Sequence, residues 1–486
     1  MKVNKIMICI CIVVCMMISP IGVFASTNNA GFEGGISKND SGVKDEYDYK
    51  EVIFVTGKPV VLYGKVQMNE DQTSLTFKDL KSADGTIKAS KKIGLTRVKN
   101  TDTPLQTIET IDLASFSETI TVTDDNGQTT YTLSDYQFHS SVVKDNQPVI
   151  QFYQGMWNRC QKKYIINGNV ADTVTVDIDG SLYGYDTYWS STETQTIKQT
   201  LHYDQKSGET PTEWYGYGNI ELSFNKNNKL SYFENAVHLS SFAGAYGLLK
   251  EEESVMTYSY NGGEPQSERL VNHPPQEMLY LPKYEDLRGH WAEESIKKLA
   301  SLKIIEEDGS IFGPDLPETR ADFARHMAIA LRLDLEKSDE IRRSYVKDEI
   351  KKPFFIDVAE DDKDYPYIKA MNDNNVMHGK TDDMFFPNQT ITREEAFTIV
   401  IRALGLERLA PTHNFNTRFK DDAKISKWAK KAVYVMDYLG IAQGYEGYIN
   451  PKEVMTKAET AAMIDKLIEY MQKDLKEDYR EGVLEY

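Results

Sequence analysis

Apolar and polar positions follow two different periods along this chain of 486 residues. Up to about residue 275, Thr, Val, Tyr and Ile alternate with polar residues in short runs, which is the two-residue period of a half-buried strand. Beyond residue 283 the apolar residues recur at helical spacing, as in Phe323, Met327 and Ala330. The sequence therefore predicts a multidomain protein, with an all-β N-terminal region followed by an all-α region.

Turn signals divide the β region into hairpins. Residues 119–123 and 129–133 flank Asp125-Asn126-Gly127, and an Asn-Gly pair readily takes the positive φ angles of a tight turn. We expect an antiparallel, sandwich-like domain over residues 51–275. Residues 26–50 are rich in Ser, Asn, Gly and charge, and we expect them to form a flexible leader.

The first 25 residues have the features of a signal peptide. Lys2 and Lys5 precede an apolar run over residues 6–18 that is too short to span a bilayer, and Val23-Phe24-Ala25 supplies a small residue for cleavage. An uncleaved membrane anchor is the alternative, which the small residue disfavours. The chain is predicted to be exported, with no membrane contact after cleavage.

The cysteine content limits the disulfides that the chain can form, and the net charge limits the partners that it can bind. Three of the four cysteines lie in residues 1–25, so only Cys160 remains and no internal disulfide can form. The net charge of −18 opposes binding to nucleic acid or to an anionic membrane surface. An exported chain of this size without disulfides needs substantial apolar cores.

Catalytic signals are weak. The eight histidines are scattered, and the chain contains no HExxH, GxSxG, CxxC or glycine-rich phosphate loop, so no catalytic residue, metal or cofactor is predicted. Asp177-Ile-Asp179-Gly180 lacks the later ligands of a calcium loop and is interpreted as a turn. Several aromatic residues of the β region are either a sugar-stacking platform or ordinary core residues: Tyr183, Tyr185, Tyr188, Trp189, Trp214, Tyr215 and Tyr217. A glycan hydrolase in this region stays open, because the separation of two carboxylates cannot be seen in a sequence.

A pattern repeated three times occupies the C-terminal region. Each copy begins with an aromatic-x-Asp triplet and continues, 33 or 35 residues later, with a Thr-basic-x-acid tetrapeptide. The triplets are Tyr284–Asp286, Phe355–Asp357 and Phe419–Asp421, and the tetrapeptides are Thr319–Asp322, Thr392–Glu395 and Thr456–Glu459. We predict repeats over residues 283–340, 353–410 and 416–474, followed by a tail over residues 475–486, with two helices in each repeat.

The tetrapeptide has a structural and a functional component. Thr followed by an acid three residues later is a capping box that starts the second helix of each copy. Arg320, Arg393 and Lys457 then lie in the first helical turn, where the helix dipole disfavours a cation. A cation kept at this position in three copies indicates an anion-binding site.

These residues and spacings resemble the S-layer homology (SLH) repeat. That family anchors exported bacterial proteins to pyruvylated secondary polysaccharides of the cell wall, and three repeats form a pseudo-threefold unit around a central helix bundle. The resemblance covers about residues 283–474 and is specific because the family's TRAE motif occurs here three times. It implies a cell-surface protein held non-covalently at the cell wall, with the β region displayed as an S-layer or coat component. Self-association or a second surface protein are further possible partners.

The resemblance also implies the binding residues. In the family, grooves between repeats hold the pyruvate carboxylate and an amino sugar through the motif Arg, an Asp and an aromatic near the start of the repeat, and a glycine of a GIxxG turn. By motif position these are Asp286, Trp291 and Arg320 in the first copy; Asp357, Gly379 and Arg393 in the second; and Asp421, Trp428, Gly444 and Lys457 in the third. Each Asp serves the sugar hydroxyls or braces its loop.

Departures from the family pattern allow the three copies to be ranked by their expected binding strength. In the first copy, Glu307 replaces the GIxxG glycine and places a negative charge where an anion would bind. The second copy has Lys363 at the position of the Trp, and in the third copy Lys457 provides a charge without the bidentate guanidinium. The sequence therefore predicts weak binding in the first copy and stronger binding in the second and third.

Overall fold

The computed structural model describes residues 35–38, 45–69, 71–103, 106–125, 127–204, 217–234, 246–272, 277–279, 283–305, 307, 309–335 and 354–478. Several sequence predictions fall outside these ranges: the predicted signal peptide, residues 26–34 and 39–44 of the predicted leader, Trp214 and Tyr215 of the aromatic set, residues 336–340 of the first repeat, residue 353 of the second, and the tail beyond residue 478.

Fourteen antiparallel strands form the N-terminal region within the described residues. They are β1 Gly35–Lys38, β2 Glu46–Ile53, β3 Val60–Met68, β4 Ser74–Lys81, β5 Ile87–Thr103, β6 Gln106–Asp124, β7 Gly127–Asn146, β8 Gln151–Ile166, β9 Asn169–Asp186, β10 Ser190–Asp204, β11 Tyr217–Glu234, β12 Tyr246–Tyr260, β13 Gln266–Asn272 and β14 Glu277–Leu279. The predicted antiparallel region is confirmed, and β6 and β7 form the predicted hairpin, with Asp124 paired to Gly127.

The strands follow one another through a single sheet. β1 to β13 pair in chain order, and β14 pairs with β12 beside β13. A sandwich needs two stacked sheets, whereas the described strands form one hydrogen-bonded path. β1 and β2 also begin within the predicted leader, because Ile36 and Tyr49 are buried in the core and give these segments an apolar face.

Side chains join the first strands to the last ones. Lys50 Nζ on β2 lies 2.7 Å from Glu268 Oε2 on β13. The ring of Phe54, directly after β2, lies 6.3 Å from that of Tyr258 and 6.0 Å from that of Tyr260 on β12. The sheet is therefore rolled around its own apolar core.

Charged pairs lie inside this roll. Lys91 Nζ contacts Glu51 Oε2 at 3.0 Å, and Lys162 Nζ contacts Glu118 Oε2 at 2.9 Å, with all four side chains buried. Cys160 is also buried, as expected for a small residue in a strand. A buried acid keeps its charge where a cation and hydrogen bonds compensate the lost hydration.

The C-terminal region is helical, as predicted. Its helices are α1 Glu293–Ser301, α2 Arg320–Ala330, α3 Tyr365–Asp373, α4 Arg393–Leu404, α5 Lys430–Tyr438, α6 Lys457–Lys473 and α7 Leu475–Asp478. α2, α4 and α6 start at the cation of each tetrapeptide. Capping boxes at Thr392 and Thr456 are both complete. In the first copy the shorter Asp322 side chain accepts from the Thr319 hydroxyl at 2.7 Å.

One end of the sheet shares a core with the helices. Trp189 is 1 % exposed, and its Nε1 donates to the Ala330 carbonyl oxygen at 2.9 Å. Ser190 donates its hydroxyl to the Met471 carbonyl oxygen. The burial of Tyr185 and Trp189 identifies these two members of the aromatic set as core residues. The sheet and the repeats are thus packed into one apolar cluster.

Candidate binding site

The segments that precede α2, α4 and α6 are joined in a closed ring of main-chain hydrogen bonds. Glu318 N donates to Met455 O at 2.8 Å, Met455 N to Ile391 O at 2.9 Å, and Ile391 N to Glu318 O at 3.1 Å. Each of these residues lies just before a tetrapeptide. The ring therefore brings the three motif cations, which are far apart in sequence, around one centre.

Arg320 reaches from the first copy into the second. Its Nε donates to Phe385 O at 3.0 Å and its Nη2 to His378 O at 2.9 Å, and the guanidinium lies 4.8 Å from the centre of the Phe385 ring. Arg320 is only 4 % exposed, and this burial lowers the pKa of its guanidinium. We call the contact of Arg320 with residues 378–386 the one–two junction.

Arg393 makes the corresponding contact with the third copy. Its Nε donates to Ile449 O at 2.8 Å, and its Nη1 lies 2.7 Å from Glu459 Oε1. Glu459 is the acid of the third tetrapeptide. The positive charge of Arg393 is therefore partly neutralised by a carboxylate of the protein itself. We call the contact of Arg393 with residues 444–450 the two–three junction.

Lys457 returns to the first copy. Its Nζ lies 2.5 Å from Glu307 Oε1 and 5.8 Å from the centre of the Phe312 ring, and its main-chain N donates to Leu316 O at 2.9 Å. We call the contact of Lys457 with residues 307–313 the three–one junction. The contacts thus run from each copy to the next and from the last copy to the first.

The sequence pattern grouped the binding residues within each copy, but in the structure the cation of one copy lies against the loop of the next copy. Arg320 lies against the loop of the second copy, which carries Gly379, and Arg393 lies against the loop that carries Gly444. Glu307 therefore faces Lys457 and not Arg320. The sequence gives no signal for this exchange, because equal spacing within copies does not reveal which copies touch.

The three aspartates brace the loops of the junctions. Asp286 accepts from the main-chain N of Phe312 at 2.9 Å and of Gly313 at 2.6 Å. Asp357 and Asp421 use both carboxylate oxygens in the same way, on the loops that their own copies contribute. Burial opposes ionisation of Asp286, but the two N–H donors outweigh it and hold the pKa of Asp286 below its usual value.

At two junctions, the residue that the aspartate braces is also the residue that holds the motif arginine. Phe385 donates its N to Asp357 at 2.9 Å and accepts from Arg320 through its O at 3.0 Å. Ile449 stands between Asp421 and Arg393 in the same way, at 3.1 and 2.8 Å. Asp357 and Asp421 therefore each brace the residue whose carbonyl group holds the preceding copy's arginine.

The glycines are needed for close backbone approach. A Cβ at Gly379 would lie 2.5 Å from Thr381 O and 2.6 Å from Met384 O. Gly444 has a φ of +69°, and a Cβ there would lie 2.4 Å from Tyr448 O. Both positions exclude a larger residue because the colliding atoms are main-chain atoms.

Large aromatic side chains are exposed in the first and third copies. Trp291 is 66 % exposed and Trp428 is 58 % exposed. Sequence comparison within the repeats missed Tyr445 and Tyr448, which are 77 % and 42 % exposed directly after Gly444. In the sequence, the only indication of these residues is that two aromatics follow the GIxxG turn of the third copy. Exposed aromatic faces that do not pack internally are suited to stacking on a ligand.

Metal-binding geometry is not found in the described ranges, where no three His, Cys, Asp or Glu side chains converge as ligands. No helix in the described part of the chain combines the length and apolar character that a membrane crossing needs.

Comparison with known families agrees with the geometry of the repeats. The model of the S-layer homology domain matches residues 283–324, 355–397 and 418–461, one match per copy. The C-terminal region consists of three S-layer homology domains. Their boundaries place the junctions between successive SLH domains.

Relatives of the chain include both enzymes and surface proteins. The exoglucanase XynX of Acetivibrio thermocellus is 33 % identical over 38 % of this chain and 16 % of that protein. The amylopullulanase of Thermoanaerobacterium thermosulfurigenes is 33 % identical over 39 % of this chain and 10 % of that protein. The S-layer protein sap of Bacillus anthracis is 30 % identical over 36 % of this chain and 20 % of that protein. The chain thus spans at most a fifth of the length of these relatives.

The SLH domains and the S-layer relatives together indicate a secreted protein of the cell surface that is anchored at the cell wall. The three relatives match 36–39 % of this chain, so they do not assign a role to the rolled sheet.

Proposed function

We propose that the three SLH domains bind pyruvylated secondary cell-wall polysaccharide at the junctions and display the rolled sheet as a surface-layer or coat component. The carboxylate of a ketal-pyruvate group would interact with the motif cations, and the sugar rings would stack on the exposed aromatics. The ring formed by Glu318, Met455 and Ile391 supports a pseudo-threefold arrangement of the SLH domains.

The main support for the proposal is that the Arg320 guanidinium is not paired with a carboxylate in the described part of the protein. Within the described residues, Arg320 is hydrogen-bonded to two carbonyl oxygens and forms no ion pair, although Glu395 and Asp357 act on it through space. Its positive charge is not neutralised by any hydrogen-bonded carboxylate that the structure describes and, although the side chain is only 4 % exposed, contributes a positive potential at the one–two junction. Arg393 and Lys457 are each paired with a protein carboxylate.

The junctions are therefore ranked differently from the copies in the sequence. We propose that the one–two junction, with Arg320, Asp357 and Gly379, is the strongest anion site. The two–three junction follows, because its arginine is partly neutralised, while the exposed Trp428 lies two residues from Ser426, which is bonded to Glu394 beside Arg393. The three–one junction is the weakest, because Glu307 already occupies Lys457.

Sedimentation with purified cell-wall sacculi tests the proposal. The full mature chain is used, because the SLH domains share a core with the sheet. We expect the protein to sediment with untreated sacculi and to stay in solution after the secondary polysaccharide has been extracted. Equal sedimentation with extracted sacculi would contradict the proposal and would assign binding to the peptidoglycan.

A second function is supported by the names of two relatives, an exoglucanase and an amylopullulanase. In this alternative the chain is a wall-anchored hydrolase of glycans whose active site lies in the β region. Release of reducing sugars from wall glycans by the purified chain would support it. A chain that binds sacculi without turnover supports the display function.

A further inference from the structure

The ladder between β6 and β7 opens in the middle of the sheet. Its register pairs stop at Asp112 with His139 and resume at Thr119 with Thr132. The register is the same on both sides of this interruption. The six residues 113–118 of β6 have no ladder partner on β7 in the described structure, while all of them except Ala114 stay paired to β5 on their other side.

Register shifts border the opening on both sides. One lies in the β5–β6 ladder beside Ala114, and two lie in the β7–β8 ladder beside Ser134 and Phe138. An extra residue in a strand bends it and redirects its side chains, and such bulges commonly lie next to functional sites. The separation of β6 and β7 is therefore specified by the neighbouring ladders.

A cleft of about 640 Å³ occupies the opening. This volume lies within the range of ligand pockets in proteins. Its inner side carries Leu113, Phe116 and Phe138, which pack against the apolar core of the roll. Its outer side carries the exposed residues Ala114 and Gln137.

Two pairs of ionisable side chains beside the cleft are bonded to each other. Lys162 contacts Glu118 at 2.9 Å, and His139 Nδ1 contacts Asp112 Oδ1 at 2.7 Å. A sugar would need convergent polar side chains that are available to it. What the β6 edge offers is main chain, and a strand edge without a ladder partner is a template for another strand.

We propose that residues 113–118 of β6 are a docking edge for an extended polypeptide segment of a partner protein, which enters the cleft and pairs with β6 as an added strand. Main-chain hydrogen bonds to β6 provide affinity, as in other cases of strand addition. Side chains of the segment alternate between the apolar inner side and the polar outer side, because successive strand residues point to opposite faces. The partner segment is about six residues long, with apolar residues at every second position.

A set of fluorescein-labelled hexapeptides that alternate Val, Ile or Tyr with Thr, Ser or Asn tests the docking edge. Binding to the full mature chain is measured by fluorescence anisotropy, and amide hydrogen exchange of residues 113–118 is followed with and without peptide. Ala114→Trp fills the cleft from its outer side. Thr196→Trp adds the same side chain to an exposed position on β10 and is the matched control.

We expect saturable peptide binding that slows exchange of the amides in residues 113–118. Ala114→Trp weakens this binding at least tenfold, and Thr196→Trp leaves it unchanged. Three results would overturn the proposal: no hexapeptide binds, both variants bind as well as the wild type, or cello- and xylo-oligosaccharides bind the cleft where the peptides do not. None of these results affects sedimentation with sacculi, which depends on the SLH domains.

Discussion

Lys457 Nζ lies 2.5 Å from Glu307 Oε1, across 150 residues of sequence. This contact joins the third SLH domain to the first and completes the cyclic set of junctions. It also places a protein carboxylate at the position where the other two junctions have a glycine, Gly379 or Gly444. The positive charge of Lys457 at the three–one junction is consequently neutralised by Glu307.

Removal of the Glu307 charge should strengthen wall binding. Glu307→Gln keeps the size of the side chain and frees Lys457 for an anion. We expect sacculi binding to tighten by about threefold, which corresponds to the ~0.6 kcal/mol of a partly exposed ion pair. Glu294→Gln, which removes an exposed acid from α1, is the control and should leave binding unchanged. Equal effects of both variants would show that only the net charge matters.

The exposed tryptophan of the two–three junction should contribute to binding without contributing to stability. Trp428→Ala is expected to reduce polysaccharide affinity about tenfold, since loss of one stacked ring costs on the order of 1 kcal/mol or more. Its melting temperature should match that of the wild type because the side chain is 58 % exposed. Tyr438→Ala removes an aromatic of similar exposure, 59 %, and should leave affinity unchanged.

Arg320 should be important for stability as well as for binding. Arg320→Ala leaves the carbonyl groups of the buried Phe385 and the exposed His378 without their donors, and we expect the free energy of unfolding to fall by about 1–3 kcal/mol. Urea denaturation measures this change. Arg408→Ala removes an exposed arginine and is the control. Unchanged stability of Arg320→Ala would show that water replaces the guanidinium.

Arg320→Lys separates the two roles of the residue. It keeps the charge but not the two-pronged contact, so we expect intermediate stability and weaker polysaccharide binding than in the wild type. Binding as tight as that of the wild type would mean that charge alone is recognised.

Stability should fall in acid through Asp286. The pKa of Asp286 is lower in the folded chain than in the unfolded chain, so its stabilising contribution is present above the unfolded pKa and is lost as pH falls through the folded pKa. The loss should therefore appear below about pH 4. Asp286→Asn should be less stable at pH 7 and should show a smaller change of unfolding free energy between pH 5 and pH 2. An unchanged pH profile would contradict this role.

The sheet and the SLH domains should unfold together. Trp189→Ala removes a side chain from their common core and the hydrogen bond to Ala330, and we expect the free energy of unfolding to fall by about 3–5 kcal/mol. Wild-type protein should show one transition by both tryptophan fluorescence and far-ultraviolet circular dichroism. Two separate transitions, with only one of them shifted by Trp189→Ala, would show that the shared core does not couple them.

The sequence predicted what depends on local patterns. Capping at Thr392 and Thr456, the hairpin pairing of β6 with β7 and the alternation of the strands all depend on neighbouring residues, and the structure contains each of them. These features follow from hydrogen bonding and burial within a few residues of the chain.

Other features depend on contacts between distant segments. The pairing of Glu307 with Lys457 could not be predicted because the order of repeats around the ring leaves no trace in their spacing. Trp189 looked like one aromatic among several, and only its burial and its contact with Ala330 in the folded chain identify it as a core residue. The opening at residues 113–118 depends in part on register shifts in the β7–β8 ladder, which no local pattern in β6 predicts.

The most direct test of the anchoring function compares two preparations of the same secondary polysaccharide, one intact and one with its pyruvate groups removed by mild acid. Affinity for the full mature chain is measured by isothermal titration calorimetry. We predict that removal of the pyruvate weakens binding at least tenfold, because the motif cations then lose their carboxylate. Equal affinity for both preparations would contradict recognition of the carboxylate at the junctions.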